Sequence, residues 1–186
     1  MKKLFYFILL ILSVSIISCN QQKEKKETKK PAARIQNTFF GLKLGEVTYD
    51  EAITTFHEKN FRGENLDRDS DGYSVHLYGP ITFAGISWEN VICSFTTDGI
   101  FETILFQIPQ DSQHYSDEDK DNIYESLHDQ LSKKYDLVYI PADSTFGEYY
   151  QACDSKYEMK LYRDDVLILG YGLKQKPSDK GYNSDL

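Results

Sequence analysis

Asp67-Arg68-Asp69-Ser70-Asp71-Gly72 is the densest run of candidate ligands in the chain. Carboxylates at alternate positions followed by glycine form the first half of a calcium loop, where oxygens converge on a hard cation and glycine permits the sharp turn. Asp67, Asp69 and Asp71 are therefore candidate calcium ligands. The second half of such a loop departs from the pattern: Ser74 stands at its eighth position, Val75 at its ninth, and Tyr78 at its twelfth, where a bidentate Glu belongs. The three aspartates would need a further oxygen, for example from Glu64. The simpler account is a polar turn before a strand, because Asp and Gly suit turns.

Other reactive sets do not assemble. His57, His76, His114 and His128 are scattered, and the zinc-protease spacing that starts at His57-Glu58 would need a second histidine where Phe61 stands. Gly85-Ile86-Ser87-Trp88-Glu89 lacks the second glycine of a nucleophile elbow, and the chain has no glycine-rich phosphate loop. Asp117-Glu118-Asp119-Lys120-Asp121 is more simply a helix start than a metal site. Carboxylates are abundant, but abundance does not identify the pair that glycoside hydrolysis needs. No catalytic set is read and no cofactor is expected beyond the calcium candidate. Folding that brought His57 or His128 beside a carboxylate in a concavity would point to an enzyme.

Two helices are expected to position what chemistry there is. Thr48 and Glu51 fit a capping box, and Tyr49, Ala52, Ile53 and Phe56 follow at the spacing of one helix face up to about Asn60. A second helix opens at Ser116, with acidic residues in its first turn and Lys133-Lys134 at its end. Ile123, Tyr124, Leu127 and Leu131 line its buried side. Elsewhere the apolar period is two: Tyr73, Val75 and Leu77; then Val91, Cys93 and Phe95; then Ile100 to Ile108 after an Asp98-Gly99 turn. Asp136 to Ile140, Glu148 to Cys153, Tyr157 to Arg163 and Val166 to Leu173 complete the set. The order helix, strands, helix, strands predicts an α+β fold, an antiparallel sheet with both helices on one face. The halves could be two copies of a helix followed by a β-meander, although their lengths and turn residues match poorly.

The N-terminus reads as an address. Met1-Lys2-Lys3 precedes fourteen mostly apolar residues, Leu4 to Ile17. As a helix they would span roughly 21 Å, short of the roughly 30 Å hydrocarbon core, so a secretory signal over residues 1–18 fits better than a transmembrane helix. Ile16-Ile17-Ser18-Cys19 resembles the lipobox of bacterial lipoproteins. The resemblance implies that the Cys19 sulfur carries a diacylglyceryl group, that cleavage leaves Cys19 as an acylated (palmitate-type) N-terminus, and that Asn20 after it favours the outer membrane. Two or three acyl chains make attachment effectively permanent, where one gives only marginal binding. In an oxidising envelope Cys93 and Cys153 could form a disulfide; the competing reading is a buried thiol at Cys93, which alternates in phase with Val91 and Phe95.

Residues 19–37 are expected to be a disordered tether, too poor in apolar residues to offset chain entropy. Six lysines and arginines face two glutamates between Gln21 and Arg34, and from residue 36 onward 27 Asp and Glu face 13 Lys and Arg. A basic tether is attracted to anionic headgroups while the acidic domain is held off them, at a tether reach of roughly 20–25 Å; alternatively the lysines only keep the linker soluble. An acidic domain also argues against nucleic-acid phosphates as a partner. The domain is expected over residues 38–173, with a flexible tail over 174–186.

Leu42-Lys-Leu-Gly-Glu-Val-Thr-Tyr-Asp-Glu-Ala-Ile53 resembles the Gly-x-x-Thr/Ser-x-x-Glu helix start of small envelope lipoproteins. Some of those share the β-lactamase-inhibitor-like fold of the outer-membrane assembly lipoproteins. The resemblance implies a protein that binds other proteins and carries no catalytic set. Tyr149, Tyr150, Tyr157, Tyr162 and Tyr171 crowd the last three expected strands. Tyrosine offers contact area and a hydroxyl at low entropic cost, and it also suits an ordinary half-wet strand. The expectation is a lipid-anchored envelope protein, periplasmic or surface-facing, whose domain is a protein-interaction or assembly module, with a calcium- or carbohydrate-binding module as the alternative.

Overall fold

The structure, a computed structural model, describes residues 33–69, 72–142 and 147–174, with the backbone path alone at 64–69. The signal segment, Cys19, the tether up to residue 32 and the tail beyond residue 174 lie outside the described residues.

Two short strands, β1 (Thr38–Phe39) and β2 (Leu42–Lys43), pair with each other and lead into helix α1 (Tyr49–Glu58). Four strands follow: β3 (Arg62–Asp69), β4 (Gly72–Phe83), β5 (Ile86–Phe95) and β6 (Phe101–Ile108). Then come helix α2 (Asp117–Lys134) and four more strands, β7 (Val138–Ile140), β8 (Tyr149–Cys153), β9 (Tyr157–Arg163) and β10 (Leu167–Leu173). The chain is thus a mixed α+β domain with one large antiparallel sheet of eight strands, ordered β3-β4-β5-β6-β10-β9-β8-β7. Each helix precedes a meander, and the last strands of the two meanders, β6 and β10, pair at the centre.

Both helices begin as their sequences dictate. The Thr48 side chain accepts from the Glu51 amide, and Glu51 Oε2 accepts from the Thr48 amide at 2.8 Å. Ser116 and Asp119 repeat the exchange, the Asp119 carboxylate accepting from the Ser116 amide at 2.9 Å. These bonds satisfy amides at the helix start that have no intrahelical partner.

Register places one set of side chains on one face of the sheet: Val75 and Leu77, Val91 and Cys93, Ile104 and Phe106, Leu169 and Tyr171, Met159 and Leu161, and Ala152. All are buried, and they form one hydrophobic cluster with Ala52 and Phe56 of α1 and Leu127 and Leu131 of α2. Phe83 and Phe106 stack at 4.2 Å between ring centroids, Phe39 meets Tyr171 at 4.8 Å, and the fully buried Trp88 donates its indole N–H to the Phe83 carbonyl at 3.0 Å.

One buried cation closes the end of β6. Lys120 is 1% exposed. Its ammonium donates to the Gln110 carbonyl at 3.0 Å and the Pro109 carbonyl at 3.4 Å, and pairs with Asp117 at 2.9 Å. Three partners for three N–H groups make the burial of this charge tolerable.

The strands differ from their expected spans in two places. Residues 62–69, including Asp67 and Asp69, form edge strand β3 instead of a turn. Its sequence, Arg-Gly-Glu-Asn-Leu-Asp-Arg-Asp, lacks the apolar alternation that reveals the inner strands. Strands β4 and β5 also extend beyond Leu77 and before Val91. Pro80 has no N–H to give the ladder; the register shifts between Tyr78 and Ile81, and pairing continues to Phe83. Among the described residues no helix is long and apolar enough to cross a membrane.

Candidate functional site

Strand β10 runs Leu167-Ile-Leu-Gly-Tyr-Gly-Leu173, and alternation puts Leu167, Leu169 and Tyr171 in the core. The other face of this central strand therefore carries Ile168, Gly170 and Gly172. Two glycines in succession strip side-chain bulk from the middle of the sheet, and a concavity of about 540 Å³ opens there. Neighbouring side chains lean into the freed space. A Cβ at Gly170 would lie 2.8 Å from Leu105 Cδ2, and one at Gly172 would lie 3.1 Å from Thr103 Oγ1. Both contacts are to side-chain ends on β6, which occupy the space the glycines leave and would have to shift to admit a Cβ.

The walls come from β8 and β9. Tyr149 and Tyr162 are cross-strand partners, and the Tyr162 ring lies against Gly147, where a Cβ would come within 2.8 Å of it. Lys160 and Glu158 line the concavity and pair at 2.9 Å; Glu158 also accepts from the Gln151 amide at 2.9 Å. The Lys160 ammonium stands 5.8 Å from the Tyr149 ring centroid, within cation–π range. Burial, and then the Asp164 carboxylate that accepts its hydrogen bond at 3.1 Å, hold the Tyr162 hydroxyl above the ordinary phenol range. The surface is an apolar floor of Leu105 and Ile168 beside the Tyr149 and Tyr162 rings, with a satisfied ion pair along the same side. It offers shape, rings and hydrogen bonds, the means of binding.

The residues singled out in the sequence are placed as follows. The side chains of Asp67 and Asp69 and the whole of Asp71 lie outside the described residues. The backbone of residues 62–69 pairs antiparallel with β4, with a register shift between Leu66 and Arg68. Among the described residues no group of three or more His, Cys, Asp or Glu is placed to hold a metal ion.

Cys93 and Cys153 are both free, one buried on β5 and the other exposed on β8. Strands β6, β10 and β9 lie between them. At about 4.8 Å per strand the two Cα atoms are on the order of 19 Å apart, against roughly 4.4–6.8 Å for a disulfide. The disulfide expectation is therefore corrected, and Cys93 is the buried thiol that its strand phase implied. Burial pushes that thiol far above its ordinary range.

His57 is exposed at the last turn of α1, and His76 lies on β4. His128 stands beside Asp129, Nδ1 to Oδ1 3.8 Å, in a concavity of about 390 Å³ that Glu125 and Glu148 also line. That is the juxtaposition named above as pointing to an enzyme. However, 3.8 Å is too long for a hydrogen bond, and no Ser, Thr or Cys lines the concavity. The imidazole instead packs against the Tyr150 ring at 4.4 Å. Neither concavity was anticipated. The signal for the larger one was present in Gly170-Tyr-Gly172, where glycines recur at a strand's own period.

Comparison of this chain with protein-family models, with curated proteins and with solved structures finds no match.

Proposed function

We propose that this chain is a lipid-anchored protein of the bacterial cell envelope whose domain binds a partner protein through one sheet face. Both helices pack on the opposite face, in the order helix, strands, helix, strands. The observation that supports this most is the concavity over β10: Gly170 and Gly172 carry no side chain on the face that the core does not use, and Tyr149 and Tyr162 stand together along its β8–β9 side. Aromatic anchors around an apolar depression, with a polar rim, are the usual composition of binding surfaces. The lipobox-like Ile16-Ile17-Ser18-Cys19 supports the anchor, and Asn20 supports an outer-membrane address. The working reading is a non-catalytic interaction or assembly module.

Two experiments test this. Replacing Cys19 with Ala should release the protein from membranes, and continued retention would remove the anchor from the reading. A photoreactive residue at Tyr149 should capture a defined protein in intact cells, whereas the same group at exposed Gln130 on α2 should not. Lys160→Gln, at the rim, should weaken capture with little change in the melting temperature, since the ion pair it removes is solvent-exposed. Equal capture from both positions, or none from Tyr149, would refute the sheet-face interface.

A further inference from the structure

The smaller concavity, where α2 meets the β7–β8 edge, has a different chemistry from the sheet face. Tyr124 and His128 stand one helical turn apart on α2, and Tyr139 of β7 is the cross-strand partner of Tyr150 of β8. The Tyr139 and Tyr150 ring centroids are 5.6 Å apart and tilted by 59°. Tyr139 is 49% exposed although it belongs to an aromatic cluster. Three carboxylates, Glu125, Asp129 and Glu148, share the lining, and no Lys or Arg among the described residues does. Burial, and then Tyr150 and Glu148, hold the Tyr124 hydroxyl above its ordinary range, as expected where the surroundings are negative.

Aromatic faces and carboxylates attract the same sign of charge. A bare metal ion would need several converging oxygens and would gain nothing from rings. An anion would be repelled by all three carboxylates. A substituted ammonium is weakly hydrated, keeps its charge, and gains from both rings and carboxylates. We propose that this concavity binds an organic cation of the methylated or alkyl-substituted ammonium class, with Tyr124, Tyr139 and Tyr150 beside the cation and Glu148 as its counter-charge. The site is separate from the sheet-face concavity and stands or falls without it.

The test is titration of the full chain with choline chloride and tetramethylammonium chloride, followed by the tyrosine ring proton resonances, at ionic strength held constant with sodium chloride. Saturable shifts of the Tyr124, Tyr139 and Tyr150 rings are expected. Tyr139→Ala, which removes a half-exposed ring and its hydrogen bond to Glu148, should weaken binding about fivefold or more with an unfolding curve close to that of the parent, and Glu148→Gln by a similar factor, on the scale of one cation–π or charge contact. The neutral isostere 3,3-dimethylbutan-1-ol should give no saturable shift. A peptide bearing trimethyl-lysine distinguishes the sources: binding equal to choline means that the headgroup alone is read, and tighter binding points to a protein side chain, each in support of the class. No saturation, an equal response to the neutral isostere, binding of a neutral oligosaccharide in preference to choline, or affinity unchanged in both variants would overturn the proposal.

Discussion

In the meander that follows α1, strands run from eight to twelve residues; in the one that follows α2 they run from three to seven. The first meander holds four of the most deeply buried rings: Trp88, Phe95, Phe101 and Phe106 are all at most 2% exposed. The second buries mainly aliphatic side chains near β10 and ends on a three-residue edge strand with Val138 57% and Tyr139 49% exposed. The smaller concavity lies wholly in the second half, and most residues around the larger one come from there too. The first half thus buries its Trp and Phe rings most completely, with Tyr78 40% exposed; the second buries Tyr135, Tyr157 and Tyr171 at 4–7% exposure and leaves Tyr139 half exposed.

The sharpest way to break that comparison is to truncate a ring on each side. Phe106→Ala removes a fully buried ring that packs on Phe39, Phe83 and Trp88 and should cost about 3–5 kcal/mol in denaturant unfolding. Tyr139→Ala should change stability by less than about 0.5 kcal/mol, since its ring is half exposed. Comparable losses would show that the second half is as tightly built as the first.

Next in size is the seam between the halves. Lys120→Met keeps the stem's volume but leaves the Pro109 and Gln110 carbonyls and Asp117 without their cation, and should cost about 2 kcal/mol. The helix starts follow. Thr48→Ala and Ser116→Ala should each cost about 1 kcal/mol, measured by the same unfolding curves, and a large inequality would mean that one helix depends on its box far more than the other.

The smallest effect is that of acid. Backbone and side-chain bonds to Thr48 hold Glu51 below the usual carboxylate range, and those to Ser116 do the same for Asp119. Burial alone would raise Asp154, but the amides of Lys156, Tyr157 and Ile35 bring it below its ordinary value. Carboxylates that hold their protons less tightly when folded stabilise the fold above about pH 4, and that contribution is lost as pH falls through their lowered pKa values. The melting temperature should decline between pH 5 and pH 3, and Asp154→Asn should flatten part of that slope. An unchanged slope in that variant would remove Asp154 from the account.

What was legible in the sequence was whatever leaves a local mark. Thr48 with Glu51, and Ser116 followed by three acidic residues, mark the helix starts because capping is decided within four residues. Val91, Cys93 and Phe95 mark a strand because one of its faces is buried. β3 left no such mark, because an edge strand of charged residues has no apolar period. Gly79-Pro80 concealed the continuation of β4, because a bulge is a property of two paired strands and cannot be read from one. The concavities were harder still. His128 and Tyr124 are a helix apart from Tyr139 and Tyr150 in sequence, and only the packing of α2 beside the β7–β8 edge makes them neighbours. The Gly170-Tyr-Gly172 period could have been read, since glycine inside a strand seldom lacks a reason.

The Ile35 amide donates to Asp154 at 3.0 Å, and the Lys174 amide donates to the Lys156 carbonyl at 2.8 Å. Both ends of the domain are thus fastened at the same hairpin, and the turns at Ala84-Gly85 and Asp164-Asp165 lie at the opposite pole. Mechanically, any pull delivered through the chain before residue 35 first loads a single carboxylate on the β8–β9 hairpin, far along the sheet from the ring cluster of Trp88 and Phe106. The first and last described residues of the domain therefore share one side, opposite those turns. A fluorescent reporter joined after residue 174 would sit on the side where the chain enters the domain and leave the far turns unobstructed.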